Sequence, residues 1–342
     1  MTLGATMPSG SSAAVIVSES TPLVSARALT KDFGGGGRLL GPAEKPLRAI
    51  AQVSLEIQCG EVLGVVGESG SGKSTLGRLL LRLIQPTEGT IIFDGQDVSA
   101  MAPRELRRFR RHMQMIFQDP YASLNARMTV GDALTESLTM HRGLKRSDAK
   151  DAAAALLAQV GLTREHLARY PRAFSGGQRQ RVAIARALAS QPRFIVADEP
   201  VSALDVSIQA EVINLLQDLQ RELGLSLMFI SHDLSVVEVI AERVMVLYLG
   251  RIMETAPTEA LFSRPAHPYT AILMQAAPSA RRASERLLAT GEIPSPRNPP
   301  SGCVFRTRCP FAIQACGEGG RPALREIAPG HFKACIRDDL AL

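Results

Sequence analysis

The 342-residue sequence predicts an α/β fold in which helices cover the faces of a parallel or mixed sheet. Short apolar runs alternate with segments of helical periodicity along most of the chain. The run VLGVVG at 62–67 has no polar position, which is typical of a strand buried on both faces. A glycine-rich loop and the helical pattern KSTLGRLLLRLI follow it, so the order strand, loop, helix is expected there.

The other elements follow from the same patterns. A first strand is predicted over 23–33, and the Gly/Pro-rich stretch after it indicates a loop before the strand VSLEI. The remaining predicted elements are strands at TIIF, QMIF, FIVAD and SLMFIS, and helices at 147–160, 176–189 and 207–223.

Composition divides the chain into three predicted regions. Residues 1–22 lack the charged start and the apolar length of a secretory signal and are expected to form a flexible tail. The main α/β domain spans 23–255. Proline-rich segments after residue 255 indicate a linker and a small, loop-rich module at 256–342. The net charge of +6 is that of an ordinary mixed surface and indicates no nucleic-acid partner. No apolar run is long enough to span a bilayer.

Residues 67–74, GESGSGKS, match the phosphate-binding pattern G-x-x-x-x-G-K-[ST]. In this pattern backbone N–H groups surround the phosphates, the lysine reaches the β- and γ-phosphates and the hydroxyl binds Mg²⁺. The predicted ligands are ATP and Mg²⁺. The predicted ATP-binding residues here are Gly67, Glu68, Ser69, Gly70, Ser71, Gly72, Lys73, Ser74 and Thr75.

A pair of carboxylates follows the apolar run FIVA. One carboxylate at such a strand end can join the Mg²⁺ shell while its neighbour accepts a proton from an attacking water. We therefore predict that Asp198 binds Mg²⁺ and that Glu199 is the general base. Taken alone this pattern is weak, because a strand that ends in a solvated turn is the commoner structure.

The string FSGGQRQR at 174–181 resembles the signature of the ABC-type ATPases. Its first residues begin the predicted helix 176–189, where free N–H groups and the positive end of the helix dipole can bind a phosphate. The resemblance implies that this helix faces the γ-phosphate held by a partner subunit. The residues implied to act in trans are Ser175, Gly176, Gly177 and Gln178.

Further positions match the same family in the same order. The resemblance implies that Gln118 senses Mg²⁺ and water, that Asp205 bridges the dimer and that His232 contacts the γ-phosphate. With Lys73 and Glu199, Gln118 and His232 form the predicted catalytic set. Phe33 lies where the family has the aromatic residue that stacks on the adenine, so the resemblance implies this role for it. The alternative is that Phe33 packs within the small β-subdomain of the fold.

The strings QMIFQDPYASLNARMTVGDAL and HPYT narrow the resemblance to the ATPases of oligopeptide and dipeptide importers, a group that also serves nickel and glutathione. The string SGGQRQRVAIARAL is more similar to the F-like than to the D-like subunit of such systems. The resemblance implies a peripheral protein on the cytoplasmic face of the inner membrane. It also implies a heterodimer with a second ATPase, two permease subunits and, indirectly, a solute-binding protein.

Two other classes compete with this interpretation. A soluble ABC-type ATPase of DNA repair or translation would usually carry two cassettes or a long coiled coil, and this sequence has one P-loop and no sustained heptads. A monomeric P-loop kinase or GTPase is disfavoured by the SGGQ string.

Four of the five cysteines lie in the last 40 residues, at Cys303, Cys309, Cys316 and Cys335. Four soft ligands suit an iron–sulfur cluster or zinc, although the spacing matches no common zinc ribbon. Some peptide-importer ATPases resemble this tail and carry a 4Fe–4S cluster there. We therefore predict such a cluster, with zinc and four free buried thiols as the alternatives.

Overall fold

A computed structural model describes residues 21–34, 45–120, 124–275, 288–340 and 342. The predicted tail 1–22 therefore lies almost wholly outside the described residues, as does most of the glycine-rich loop after Phe33. The described part contains two β-sheets and the helices that pack on them.

The smaller sheet is antiparallel and has four strands. They are β1 (Val24–Phe33), β2 (Leu47–Ile57), β4 (Glu88–Phe93) and β5 (Gln96–Asp97). Their order in the sheet is β2-β1-β4-β5. The first strand confirms the prediction for 23–33, and the second extends the predicted VSLEI strand toward the N-terminus.

The larger sheet has eight strands. They are β3 (Val62–Val66), β6 (Met113–Ile116), β7 (Phe194–Asp198), β8 (Ser226–Ile230), β9 (Arg243–Tyr248), β10 (Arg251–Pro257), β11 (Arg325–Ala328) and β12 (His331–Lys333). Their order is β11-β12-β10-β9-β3-β8-β7-β6. Strands β6, β7, β8, β3 and β9 run parallel, and β10, β12 and β11 continue the sheet in antiparallel fashion.

Side chains of the central strands alternate between two apolar cores, one on each face of this sheet. In β3, Val62 and Val66 belong to one core while Leu63 and Val65 belong to the other. Strand side chains alternate with a period of two, so a strand that is buried on both faces has no place for a polar residue. This confirms the interpretation of VLGVVG.

The helices lie between the strands and after them. They are α1 (Lys73–Leu80), α2 (Pro103–Phe109), α3 (Val130–Arg142), α4 (Arg146–Gln159), α5 (Gly176–Leu188), α6 (Val206–Leu223), α7 (Leu234–Ile240), α8 (Thr258–Ser263), α9 (Pro268–Gln275) and α10 (Ala315–Glu318). Helices α3 and α4 pack against each other and against α5. None of the described helices is both long and apolar enough to cross a membrane.

Two helices differ from the sequence prediction. Helix α1 ends at Leu80 and not at Ile84, because Arg82 adopts a left-handed conformation with φ of 50° that turns the chain. Helix α3 was not predicted, although Thr129 caps it by accepting a hydrogen bond from the Asp132 N–H and Gly143 ends it with φ of 65°. Both ends of α3 thus carried standard sequence signals.

Residues 288–340, called here the C-terminal segment, pack directly on the α/β domain. Strand β12 pairs with β10 through Thr255 and Phe332, so this segment lengthens the main sheet. The side chain of Phe305 is fully buried in the same apolar core as that of Tyr269. The segment is rich in loops, as expected, but it shares the core of the preceding domain.

Candidate nucleotide site

Four of the predicted site regions meet at one edge of the main sheet. The glycine-rich loop follows β3, Gln118 follows β6, Asp198 ends β7 and His232 follows β8. These four strands are parallel neighbours, so their carboxyl ends lie side by side. Ligands of open α/β sheets bind at this edge.

The glycine-rich loop has a backbone that only glycine permits at two positions. Gly67 has φ of 150°, and a Cβ there would lie 2.1 Å from the Leu247 carbonyl oxygen. Gly72 has φ of 106°, and a Cβ there would lie 2.6 Å from the Ala49 carbonyl oxygen. The loop is therefore wedged between β9 and β2, and its last residue leads directly into α1.

Lys73 is buried within this loop, with 6% of its surface exposed. Its Nζ donates to the carbonyl oxygens of Gly67 at 2.7 Å and Glu68 at 3.0 Å. Burial lowers the pKa of Lys73, while nearby carboxylates, first that of Glu199, raise it. An ammonium group in this position is suited to an anionic partner such as a phosphate.

Ser74 and Asp198 meet directly at the start of α1. The Ser74 hydroxyl donates to Asp198 Oδ1 at 2.7 Å, and Arg78 Nη2 lies 4.0 Å from Asp198 Oδ2. Burial raises the pKa of Asp198. A cation bound beside the carboxylate would lower that pKa again, because it stabilises the charged form. A hydroxyl and a carboxylate side by side are hard oxygen donors, so these residues fit Mg²⁺ that is shared with substrate phosphates.

Glu199 lies between two polar side chains from the neighbouring strands. Its Oε2 accepts from Gln118 Nε2 at 2.9 Å and lies 3.3 Å from His232 Nδ1. The backbone of Glu199 has φ of 48°, and its N–H donates to the Ile230 carbonyl oxygen at 3.0 Å. The structure thus brings together Gln118, Glu199 and His232. The Glu199 carboxylate lies at the sheet edge, where it can accept a proton from a water.

The signature residues begin helix α5 at a distance along the chain from these groups. Ser175 Oγ accepts from the Gln178 N–H at 3.3 Å, and Gln178 Oε1 accepts from the Ser175 N–H at 3.1 Å. A Cβ at Gly177 would lie 2.5 Å from Ile208 Cγ2, while one at Gly176 would approach Leu204. The start of α5 therefore packs against α6 at Ile208 and against the turn before α6 at Leu204, while Ser175 is exposed.

The last two predicted positions are also exposed. Asp205 precedes α6, and the Gln209 N–H donates to its carbonyl oxygen at 2.8 Å. Phe33 ends β1 with 41% of its surface exposed, and Lys31 Nζ lies 5.0 Å from its ring centroid. The exposure disfavours the alternative that Phe33 packs within the small sheet, because an aromatic ring committed to a core would be buried.

The prediction of an iron–sulfur cluster at the four cysteines is wrong. Their side chains line one small cavity, but the described residues contain no group of three or more His, Cys, Asp or Glu side chains arranged to hold a metal ion. Burial raises the pKa of both Cys303 and Cys309 to about 11, which disfavours the thiolates that ligate metals. The zinc alternative has no support on the same grounds.

Two residues near the phosphate loop were not assigned a role from the sequence. Tyr269, in the HPYT string, accepts a hydrogen bond from the Glu68 N–H at 2.9 Å. Arg308, from the C-terminal segment, forms an ion pair with the Glu68 carboxylate. The HPYT string was the available signal for Tyr269. Arginine in a loop carries no comparable signal.

Comparison with known proteins places this site within a family. Residues 50–202 match the model of the ABC transporter family, and residues 253–316 match that of the oligopeptide/dipeptide transporter C-terminal region. A putative peptide import ATP-binding protein of Brucella ovis is 57% identical over 324 residues, which cover 94% of this chain and 99% of the relative. The putative oligopeptide transport ATP-binding protein YkfD of Bacillus subtilis is 50% identical, with 92% and 95% covered.

Solved structures agree with these matches. The dimeric ATP-binding cassette MJ0796, bound to ADP and phosphate, superposes with a TM-score of 0.61 at 31% identity, covering 69% of this chain and 98% of that one. The chain belongs to the ABC transporter family and has its ATPase cassette fold. The resemblance to peptide-importer ATPases and the prediction of an ATPase are confirmed, and the DNA-repair or translation alternative is not favoured.

Proposed function

We propose that this chain is the ATP-hydrolysing subunit of an importer for dipeptides, oligopeptides or related small solutes. The observation that carries the proposal is the Glu199 carboxylate, held between Gln118 and His232 beside the loop that buries Lys73. The names of the relatives in Brucella ovis and Bacillus subtilis support the class of solute.

In the proposed reaction a water attacks the γ-phosphorus of ATP, the bond to the ADP oxygen breaks, and Glu199 accepts the water proton. Lys73 neutralises the β- and γ-phosphates, and His232 and Gln118 hold Glu199 and the phosphate in position. Ser74, Asp198 and Gln118 would hold Mg²⁺, which supplies positive charge for the phosphate oxygens. Positioning and charge therefore provide most of the rate.

The second half of each site comes, in this proposal, from a partner. Ser175, which is exposed, and the residues Gly176, Gly177 and Gln178 after it form the N-terminal end of a helix that would meet the γ-phosphate of the opposite subunit. Asp205 would bridge the two subunits, and the exposed ring of Phe33 would stack on the adenine.

The proposed assembly joins this chain to a second, D-like ATPase and two permease subunits on the cytoplasmic face of the inner membrane, served by a solute-binding protein. We also propose the division into a tail at 1–22, an ATPase domain at 23–255 and a C-terminal importer-type region at 256–342. The family match that begins at residue 253 supports the second boundary.

Purification of the complex from its own membrane tests the assembly. Native mass spectrometry should find one copy of this chain, one second ATPase and two permeases. Two copies of this chain without a second ATPase would contradict the heterodimer.

Uptake by the complex in proteoliposomes tests the activity. Labelled dipeptides should accumulate only when ATP is present on the side of this chain, and Glu199→Gln should abolish uptake while the complex remains assembled. Uptake that is independent of ATP, or assembly without any permease, would contradict the proposed function.

A further inference from the structure

Three aromatic side chains join the C-terminal segment to the nucleotide-binding edge of the sheet. They are Tyr248 at the end of β9, Tyr269 in α9 and Phe305, and each has 1% or less of its surface exposed. The ring centroids of Tyr248 and Tyr269 are 4.8 Å apart, and Phe305 lies 5.3 Å from the first and 5.1 Å from the second. Such a cluster is rigid because each ring packs against both others.

Arg308 extends from this aromatic cluster to the phosphate loop. Its Nη1 donates to Glu68 Oε2 at 2.6 Å and its Nη2 donates to Glu68 Oε1 at 3.0 Å, which is the bidentate geometry of a strong arginine–carboxylate pair. The guanidinium carbon lies 5.8 Å from the Tyr248 ring centroid and 5.9 Å from that of Phe305. Only 10% of the Arg308 side chain is exposed, so solvent screens the pair weakly.

Glu68 is therefore held at two points by residues far along the chain. Its carboxylate binds Arg308 and its backbone N–H donates to Tyr269 Oη at 2.9 Å. Its carbonyl oxygen in turn accepts from Lys73 Nζ. A displacement of Glu68 would consequently move an acceptor of the lysine that the proposed site directs at the phosphates.

We propose that Arg308 is a positioning residue for nucleotide binding, which holds Glu68 in place and neutralises its charge beside the ATP phosphates. The C-terminal segment thereby sets the affinity of the phosphate loop for ATP. This inference rests on the proposed assignment of residues 67–75 as the nucleotide site. It assigns Arg308 no contact with the reacting atoms.

Loss of Arg308 has two physical effects on ATP binding. The Glu68 carboxylate remains near the polyphosphate without its counter-charge, and the loop loses a side-chain anchor. One uncompensated charge at this range lowers affinity by roughly threefold to tenfold at the effective dielectric of a protein surface. Hydrolysis of bound ATP depends on Glu199 and should change little.

A double-mutant cycle on the full chain tests this mechanism. We expect Arg308→Ala to raise the Kd and KM for Mg·ATP by about fivefold with kcat within about twofold of wild type. In the Glu68→Gln background, whose own Kd is the reference, adding Arg308→Ala should change Kd by less than about twofold. Arg306→Ala is the matched control, since this arginine of the same loop donates to Ser301 instead.

Two results of the cycle would overturn the proposal. One is an unchanged Kd in Arg308→Ala, and the other is an equal loss with and without the Glu68→Gln substitution, which would indicate general packing. Lys73→Ala separates this outcome from failure of the proposed site. If Lys73→Ala binds ATP normally, the site itself is misassigned. If Lys73→Ala loses ATP binding but Arg308→Ala does not, the site is correct and the proposed role of Arg308 is wrong.

A measurement on the unmutated chain covers the case in which Arg308→Ala does not fold. Coupling between two sites is reciprocal, so a nucleotide that orders the loop should also order the segment that holds it. Hydrogen exchange of the amides at 303–309 should slow by about twofold or more when ADP is added. Unchanged exchange there, together with slower exchange at 67–75, would contradict the coupling.

Discussion

The nucleotide-binding edge and the four-cysteine cavity each bring together chemically distinctive residues, but the two groups differ in their surroundings. At the edge, polar groups bind one another: Ser74 binds Asp198, and Gln118 binds Glu199. In the cavity, Cys303 and Cys316 are each 8% exposed and belong to the apolar core. Residue type and spacing singled out both groups, yet only the first forms a polar site.

The difference follows from where each residue sits in the fold. The edge residues come directly after neighbouring parallel strands, so the sheet determines their positions. The cysteines lie in loops and short elements, whose side-chain directions the sequence does not determine. Burial then raises the pKa of thiols such as Cys303, which favours packing as a small apolar group over ligation.

The largest expected effect is at the edge. Glu199→Gln removes the proposed base but keeps its shape, so ATP hydrolysis should fall by a factor on the order of a hundred or more while ATP binding persists. Steady-state turnover and a nucleotide-binding titration measure the two quantities. Glu259→Gln, at the start of α8, is the control and should behave as wild type. Near-normal turnover in Glu199→Gln would mean that this carboxylate is not the base.

A smaller effect is expected at the start of helix α5. Gly177→Ala places a Cβ 2.5 Å from Ile208 Cγ2, and such overpacking costs about 1 to 3 kcal/mol of folding free energy. Urea unfolding measures the loss. Ile208→Ala removes the clashing methyl, so Gly177→Ala should be nearly neutral when it is added to that variant. If the two losses simply add, the contact between α5 and α6 is not the reason for this glycine.

The cavity should respond to alkaline pH. The pKa of Cys303 rises from 9.0 to about 11 on folding, so the unfolded chain loses its thiol proton first. The contribution of this thiol to the free energy of unfolding is therefore fully present below pH 9. It declines as pH rises toward 11, by on the order of 2 kcal/mol. Urea unfolding across this range measures the decline, and Cys303→Ala should reduce it. Cys59→Ala, which removes an exposed thiol outside the cavity, is the control for the loss of a thiol as such.

The smallest expected effect tests whether the cavity cysteines contribute only packing energy to stability. Cys316→Ala removes one buried sulfur atom and should lower the unfolding free energy by about 1 kcal/mol, with turnover per folded molecule unchanged. Thermal unfolding and ATPase assays on the same preparation measure both. A loss above about 4 kcal/mol would show that the cysteines contribute more than packing.

Sequence patterns predicted the elements whose burial is uniform along their length. Strands β3, β7 and β8 are fully buried and were predicted from apolar runs. Strand β12, only three residues long, is held by its pairing with β10, and because Thr255 and Phe332 are distant in the chain this pairing leaves no local pattern. Helix α3, in contrast, has local signals at both ends, a Thr129 cap and a left-handed Gly143.

The residues of the candidate site that could be predicted are likewise those that follow a local sequence pattern. Each edge residue is preceded by an apolar run or a glycine pattern. Arg308 is preceded by nothing of the kind, and its bond to Glu68 spans 240 residues. A contact of that range depends on the complete tertiary structure and cannot be inferred from residue type.

The bond between Arg308 and Glu68 also has a consequence for biosynthesis. The phosphate loop leaves the ribosome long before the arginine that holds it, since 240 residues separate the two. At about 5 to 20 residues per second this interval lasts roughly 10 to 50 s. During that time the nascent loop has its own glycines and lysine but lacks its distant support. The full ATP affinity that we propose is therefore acquired only after Arg308 has been synthesised.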